Sequence, residues 1–441
     1  MLPSPSVVRG QVDVKKAVVV GSGAGGATVA KELQGKFQVT VMEEGKSFRP
    51  FTVDLLLVEK LKNLGLLFDE SMINVLFPAM RIRKADSRMV MVNGVGTGGT
   101  TTICTANALR QDRELKAIGV NLDEDFDELS REIPISYDHQ KHWHENTRRV
   151  FQVCEEMGLN PVASPKMAYR NRCAACGRCI FGCRRGAKWD TREFLELAVR
   201  RGAESLQGCR VKRVVINDGE VLGVEVSGGR HRGFHPADLV VLAAGGFGTP
   251  AILRGSGIEC EKRLFVDPVL CVAARWDGAG QDKEIPMPFI VQRERFMIAP
   301  YFDFLSFFFN RNWSYPAGNI YSLMIKLADS PNGGVEGRRI RKSLTEADTA
   351  LLDEGVSLTR EIFRRVGRKD DEIFLGTLNA GHPGGMLPLT EKESATLHNP
   401  SLPENLYVAD ATLFPESLGN PPILTIMALA KRVSKLLIAN A

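Results

Sequence analysis

The stretch 15–45, "KKAVVVGSGAGGATVAKELQGKFQVTVMEEG", constrains the chain most. "AVVV" is a short continuous apolar run of the kind a buried parallel strand needs, and it leads into Gly21, Gly23 and Gly26 in G-x-G-x-x-G spacing. "ATVAKEL" then reads as a helix and "FQVTVMEE" as a second strand, which predicts one βαβ unit. The residue types suit a dinucleotide cradle. Gly21 permits the tight turn, Gly23 lets backbone approach a pyrophosphate, Gly26 lets helix and strand pack closely, and the helix N-terminus faces the phosphate charge. Glu43 ends the second strand about 20 residues on, where an acid accepts from a ribose hydroxyl. Nicotinamide and flavin dinucleotides both satisfy such a unit.

A chain of 441 residues exceeds the size at which one core stops growing, so two domains are expected. With 44% hydrophobic and 25% charged residues the composition is that of a globular protein folding in water. No apolar run reaches the roughly 18 residues of a membrane span. The opening "MLPSPSVVRGQVDVKK" shows neither an apolar secretory stretch nor a twin-arginine pair, so a cytoplasmic location is expected. The net charge of +5 is small for this length. Basic clusters at 336–343 and 364–371 sit beside acids and lack interleaved aromatics, which fits solvated faces and not a nucleic-acid surface.

Four further segments decide between the dinucleotides: "VNGVGTGGTTTICTAN" (92–107), "ADLVVLAAGGFGTPAILRGSGI" (237–258), "LNAGHPGGM" (378–386) and "ENLYVADATLFPESLGNPPILTIMALAKRV" (404–433). In order and spacing they resemble the glucose–methanol–choline family of flavin-dependent oxidoreductases, from about residue 14 to the C-terminus and most weakly between 262 and 375. The resemblance implies FAD along the first glycine loop, Gly25 included. It places Gly98, Gly99 and Asn107 beside the flavin, Val211 of "GCRVKRV" at the adenine, Gly245 and Pro421 against the cofactor, and Asp410 at the phosphate-ribityl region. The implied architecture is α/β, a Rossmann-like FAD-binding domain interleaved with an α+β substrate domain. Residues 14–45, 90–110, 160–260 and 380–441 fall to the first, and 46–89, 111–159 and 262–379 to the second.

Oxidising an alcohol to a carbonyl requires a hydroxyl proton to leave while hydride passes to a flavin, so a proton-handling group must stand beside the ring. Histidine titrates near neutrality and suits this role. His382, in the glycine- and proline-rich turn "AGHPGGM", matches the family's active-site histidine, and Asn420 of "LGNPPILTI" matches its second catalytic position. This His/Asn version is most similar to the cholesterol-oxidase branch. His139, His142 and His144 at i, i+3 and i+5 do not share one helix face, so that segment is expected to be polar surface and no metal site.

"RCAACGRCIFGCRRGAKWD" (172–190) packs Cys173, Cys176, Cys179 and Cys183 into a chain with nine cysteines in all. In a reducing cytoplasm a disulfide framework is not expected. The C-x₂-C-x₂-C-x₃-C spacing matches the ferredoxin run, apart from Arg184 in place of the following proline, and zinc prefers two separated pairs. A 4Fe–4S iron–sulfur cluster on these four thiols is the expectation, its charge offset by Arg184, Arg185 and Lys188. Electrons would then pass to an external carrier, an acceptor protein or a redox subunit. A structural or thiol-redox role is the alternative, since the stretch also resembles fatty-alcohol oxidases. "FMIAPYFDFLSFFFNRNWSYP" (296–316) far exceeds the chain's 7% aromatic content, as core, as the lining of an apolar pocket for a hydrophobic alcohol, or as a peripheral membrane or partner surface. "LTEADTALLDEGVSLTREIFRRVG" reads as an amphipathic helix with Thr345 near its N-cap.

Overall fold

Short β-branched runs flanked by glycines give the βαβ unit its form: strand Lys16–Val20, helix Ala24–Leu33 and strand Gln38–Glu43, the two strands parallel with Val18 opposite Thr40. The computed structural model describes residues 14–52, 54–64, 73–337 and 339–441; the segment 1–13, read above for export signals, and Arg338 of one basic cluster lie outside them. Around this unit a five-stranded parallel sheet forms in the spatial order Leu406–Val408, Leu239–Leu242, Lys16–Val20, Gln38–Glu43, Glu204–Gln207. Val19, Val41, Val240 and Val241 have no exposure, because the sheet is covered, with helix Ala24–Leu33 against Lys16–Val20 and Gln38–Glu43 and strands Arg210–Asn217 and Glu220–Ser227 also packed against it. Ala24–Leu33 lies against Ile423–Ala439 and Arg192–Arg200. Lys431, almost fully buried, stands 2.8 Å from Glu32 and 2.9 Å from Glu128, tying the first and last helices to Asp123–Glu132. An antiparallel three-stranded sheet, Arg210–Asn217, Glu220–Ser227 and Gly233–Pro236, is appended.

The second unit is built on a nine-stranded sheet. Its centre is Val269–Arg275 paired antiparallel with Ile320–Leu327, then Phe296–Pro300 and Phe289–Gln292. Met80–Lys84 and Val90–Gly94 extend it on the other side through Asn379–Ala380. Val90–Gly94 and Val162–Ala163, grouped with the dinucleotide segments by the sequence division, pair in this larger sheet. One face packs beneath helix Glu346–Arg365, which starts at the expected Thr345: its hydroxyl accepts from Asp348 N at 3.1 Å and the Asp348 carboxylate accepts from Thr345 N at 2.9 Å. The other face carries Phe302, Phe304, Phe307, Phe308 and Trp313, all buried. The aromatic segment is therefore mainly core. Among the described residues no helix is long and apolar enough to cross a membrane. Ile320–Leu327 is buried at every position, yet it contains a lysine, Lys326.

Candidate active site

At the first glycine loop the backbone closes on itself. Gly21 has φ +99°, and a Cβ on Gly26 would fall 1.9 Å from Gly21 O. Gly23 differs: a Cβ there would meet nothing nearer than Gly99 Cα at 3.9 Å, so the space in front of it is open. Helix Ala24–Leu33 starts at Gly23 with no side chain capping it, which leaves its first N–H groups for an anion. Gly25 packs against the C-terminal segment, its Cβ position only 1.8 Å from Ala409 O. These residues fit a dinucleotide pyrophosphate.

Glu43 ends its strand as expected, but its carboxylate is already engaged. One oxygen accepts from Ser22 N at 3.1 Å and Ser22 Oγ at 2.7 Å, the other from Gly45 N at 2.8 Å and Gly96 N at 3.1 Å. Burial raises its pKa against those donors. A ribose hydroxyl would replace one of these four bonds, so Glu43 also ties the first glycine loop to the second. Gly98 (φ +86°) starts that second loop, and Gly99 lies against Gly23. Val211 is buried in Arg210–Asn217, just after Cys209, whose N–H donates to Glu43 O at 2.8 Å. Asp410 accepts from Gly245 N at 2.8 Å and Thr249 Oγ1 at 2.6 Å, so it caps helix Gly245–Gly255; burial raises its pKa.

A cavity of about 190 Å³ opens between the two units. Phe304, Phe308, Phe77 and Met324 contribute to its apolar wall, while Asn107, Lys326, His382 and Pro421 stand at its polar side. Asn107 donates to Met287 Sδ at 2.9 Å and accepts from buried Lys166, whose pKa burial pulls down to about 7. Asn420 precedes Pro421. Its amide donates to Leu418 O at 3.2 Å, and its Oδ1 is buried without a partner. That orphaned acceptor is a fit for a donor supplied by a bound cofactor or substrate. A wider, open depression of about 510 Å³ beside Arg110 and Tyr137 holds none of these residues.

His382 is held by three contacts at once. Its N–H donates to Val266 O at 3.3 Å, and its Nδ1 lies 2.6 Å from Lys326 Nζ and 3.4 Å from Asp267 Oδ2. Lys326 Nζ is 2.9 Å from the same Asp267 oxygen, both side chains being 1% exposed. The other Asp267 oxygen accepts from Ser417 Oγ and from Gly419 N at 3.3 Å. Burial alone would raise Asp267, but Lys326 in its ammonium form, then His382 and Ser417, pull it down to about 2. Burial lowers His382, as would Lys326 in its ammonium form, with Asp267 opposing. Behind them Lys342 neutralises buried Asp329 at 2.6 Å. Asp267 and Lys326 escaped the sequence reading. The available signal was the lone lysine in the otherwise uncharged strand "IYSLMIKL". Asp303, raised to about 6 by burial, also lines the cavity and was not singled out.

The cysteine run departs from expectation. Among the described residues no three His, Cys, Asp or Glu side chains are placed to hold a metal ion, and Cys173, Cys176, Cys179 and Cys183 are not gathered as a ligand set in this structure. Packing against other segments sets the loop's path. Gly177 lies against Asp282 O and Gly182 against Phe48, which pins the turn by packing, and Cys183 Sγ accepts from Ala187 N. Cys173 and Cys176 are exposed, while burial pushes the Cys179 thiol up to about 12. Lys188, expected to offset cluster charge, donates instead to the carbonyls of Thr101, Thr102, Cys104 and Cys179, stapling the run to the second glycine loop. His139 is likewise not surface. It is buried, 2.8 Å from Ser164 O, and accepts from Trp143 Nε1 at 3.0 Å.

Comparison with known proteins agrees with this geometry. The chain is 26% identical to an uncharacterized protein of Methanocaldococcus jannaschii across 94% of this chain and 97% of that one. A long-chain-alcohol oxidase of Arabidopsis thaliana is 23% identical over 95% of this chain, which spans 66% of the plant protein. An uncharacterized GMC-type oxidoreductase of Mycobacterium tuberculosis is 29% identical over 63% of this chain and 44% of its own length. The fold matches that of pyridoxine 4-oxidase from Mesorbium loti with a TM-score of 0.70 at 17% identity, covering 96% of this chain and 98% of the other. The sequence pattern of GMC oxidoreductases matches residues 15–272, more than half of the chain, and the chain belongs to that family.

Proposed function

We propose that the chain is an FAD-dependent oxidoreductase that converts a hydrophobic alcohol to a carbonyl. The observation that carries this reading is the cavity, apolar along the phenylalanines and polar where His382 and Lys326 stand beside the Pro421 segment. FAD, when bound, supplies the hydride acceptor. Gly21, Gly23, Gly25 and Gly26 would hold its pyrophosphate, Gly98, Gly99 and Asn107 would border its ring, Val211 would meet the adenine, and Gly245 and Asp410 the phosphate-ribityl chain. His382 accepts the hydroxyl proton, Asn420 orients the oxygen, and the apolar wall excludes water from the reacting carbon.

A cytoplasmic dehydrogenase working with an external acceptor is our first reading of the electron route, with no relay through the cysteine run. Oxygen as acceptor is a second reading, favoured by the similarity to a plant protein named a long-chain-alcohol oxidase. Product analysis tests both. With decan-1-ol and related alcohols the FAD-loaded protein should yield one carbonyl per two electrons passed to an added dye. Peroxide formed in equal amount without dye would establish the oxidase reading. No carbonyl product from any primary or secondary alcohol would overturn alcohol oxidation itself.

A further inference from the structure

We propose that Lys326 is the terminal acceptor of the substrate's hydroxyl proton, which reaches it through the ring of His382. The inference rests on the role given to His382 above. A histidine that receives a proton at Nε2 carries its resting proton on Nδ1. Nδ1 here lies 2.6 Å from Lys326 Nζ, and two N–H groups do not point at one another across that distance. Nζ must therefore offer a lone pair. A neutral amine has two N–H donors and one acceptor site. The three neighbours of Nζ use all of them: Asp267 Oδ2 at 2.9 Å and Asp267 O at 3.4 Å accept, and His382 Nδ1 donates.

The transfer balances. The alcohol O–H breaks as Nε2–H forms, and Nδ1–H breaks as Nζ–H forms. The ring is neutral before and after, and the new ammonium faces the Asp267 carboxylate. The C–H pair leaves as hydride to the flavin acceptor, and the C–O bond becomes a carbonyl. One proton and one hydride account for the two hydrogens the alcohol loses.

The surroundings suit a lysine that gains and loses a proton. Lys326 is 1% exposed, and its enclosure disfavours the ammonium, while Asp267 favours it. Ser417 and the Gly419 amide donate to the other Asp267 oxygen. The remaining charged groups near Lys326 are Asp329 and Lys342, and they neutralise each other at 2.6 Å. Lys326 also lines the cavity.

Full-length protein labelled with [15N]histidine tests the resting state directly. With the His382 signals assigned by their loss in His382→Gln, neutral pH should show Nδ1 protonated and Nε2 unprotonated. The reverse tautomer would mean a resting ammonium and would overturn the relay. In anaerobic mixing with decan-1-ol, Lys326→Met and Lys326→Arg should both slow flavin reduction on the order of 10²-fold at full FAD content. Arginine keeps a positive charge but cannot take a proton, so near wild-type reduction in Lys326→Arg would reduce Lys326 to a fixed charge and overturn the proposal. If Lys326→Met does not fold, Lys326→Arg and the wild-type tautomer decide. A wild-type flavin that no alcohol reduces overturns the alcohol reading and the relay with it; reduction accompanied by the reverse tautomer overturns the relay alone.

Discussion

The glycine cradle and the His382 corner face the same region, but they are made differently. The cradle is backbone meeting backbone: Gly26 against Gly21, Gly25 against Ala409, Gly99 against Gly23. The corner is polar side chain meeting polar side chain, with Asp267, Lys326, His382 and Ser417 brought from four segments of the chain. A cradle fails by steric overlap, in which one methyl is enough. A corner fails through its electrostatics, which a variant of unchanged shape disturbs as much as a truncation does. Substitutions in the two regions should therefore separate stability, cofactor binding and chemistry in different ways.

The largest effect is expected at Asp267. Asp267→Ala strips partners from Lys326, Ser417 and the Gly419 amide. Buried donors left unpaired cost about 1–3 kcal/mol each, so urea unfolding should show a loss of roughly 3 kcal/mol or more. A loss under about 1 kcal/mol would mean that the corner is not enclosed as described. Gly26→Ala comes next. Its methyl would sit 1.9 Å from Gly21 O, and backbone must move to admit it. Overpacking of this kind costs about 1–3 kcal/mol, and FAD retention should fall with it. Unchanged melting and FAD content would remove the close approach from the account of the cradle.

A buried histidine outside both regions calibrates the electrostatic side. Burial lowers His139 from 6.5 to about 4, against the Ser164 carbonyl. The folded chain thus holds the ring neutral where the unfolded chain protonates it, so the stability it carries is complete above pH 6.5 and is lost as pH falls toward 4. By pH 5 the loss should approach about 2 kcal/mol, and His139→Gln should flatten that limb. The same pH slope in the variant would assign the acid sensitivity elsewhere. The smallest stability effect belongs to Gly23→Ala, whose Cβ meets only open space. Apo-protein melting should stay within about 0.5 kcal/mol of wild type, while FAD affinity drops at least about tenfold as the methyl enters the pyrophosphate's place. Equal FAD affinity would put the cofactor elsewhere, and would sharpen the contrast with Gly26 into a purely structural one.

Legibility follows the same division. The βαβ unit, the Thr345 cap and the helix it starts were readable because each is specified within a few tens of residues, by spacing and by local hydrogen bonds. The glycine- and proline-rich motif marked His382, which lines the cavity. Asp267 and Lys326 were not readable, since nothing local marks which buried lysine will meet which aspartate across a nine-stranded sheet. The cysteine run is the converse case. Its spacing is local and suggestive, but the loop path is set by Phe48 and Asp282, which come from elsewhere in the chain, and by Lys188, which reaches out to the second glycine loop. Short periodicity identifies elements, and convergence of distant charges identifies chemistry.

Anaerobic rapid mixing of FAD-loaded protein with decan-1-ol, wild type beside His382→Ala, tests the alcohol-oxidation reading most directly. The wild-type flavin should bleach as carbonyl forms in equal amount. His382→Ala should keep its FAD and its fold and bleach on the order of 10²-fold more slowly. A wild-type flavin that stays oxidised, or a variant that bleaches as fast as wild type, would contradict the assignment of the cavity and of His382.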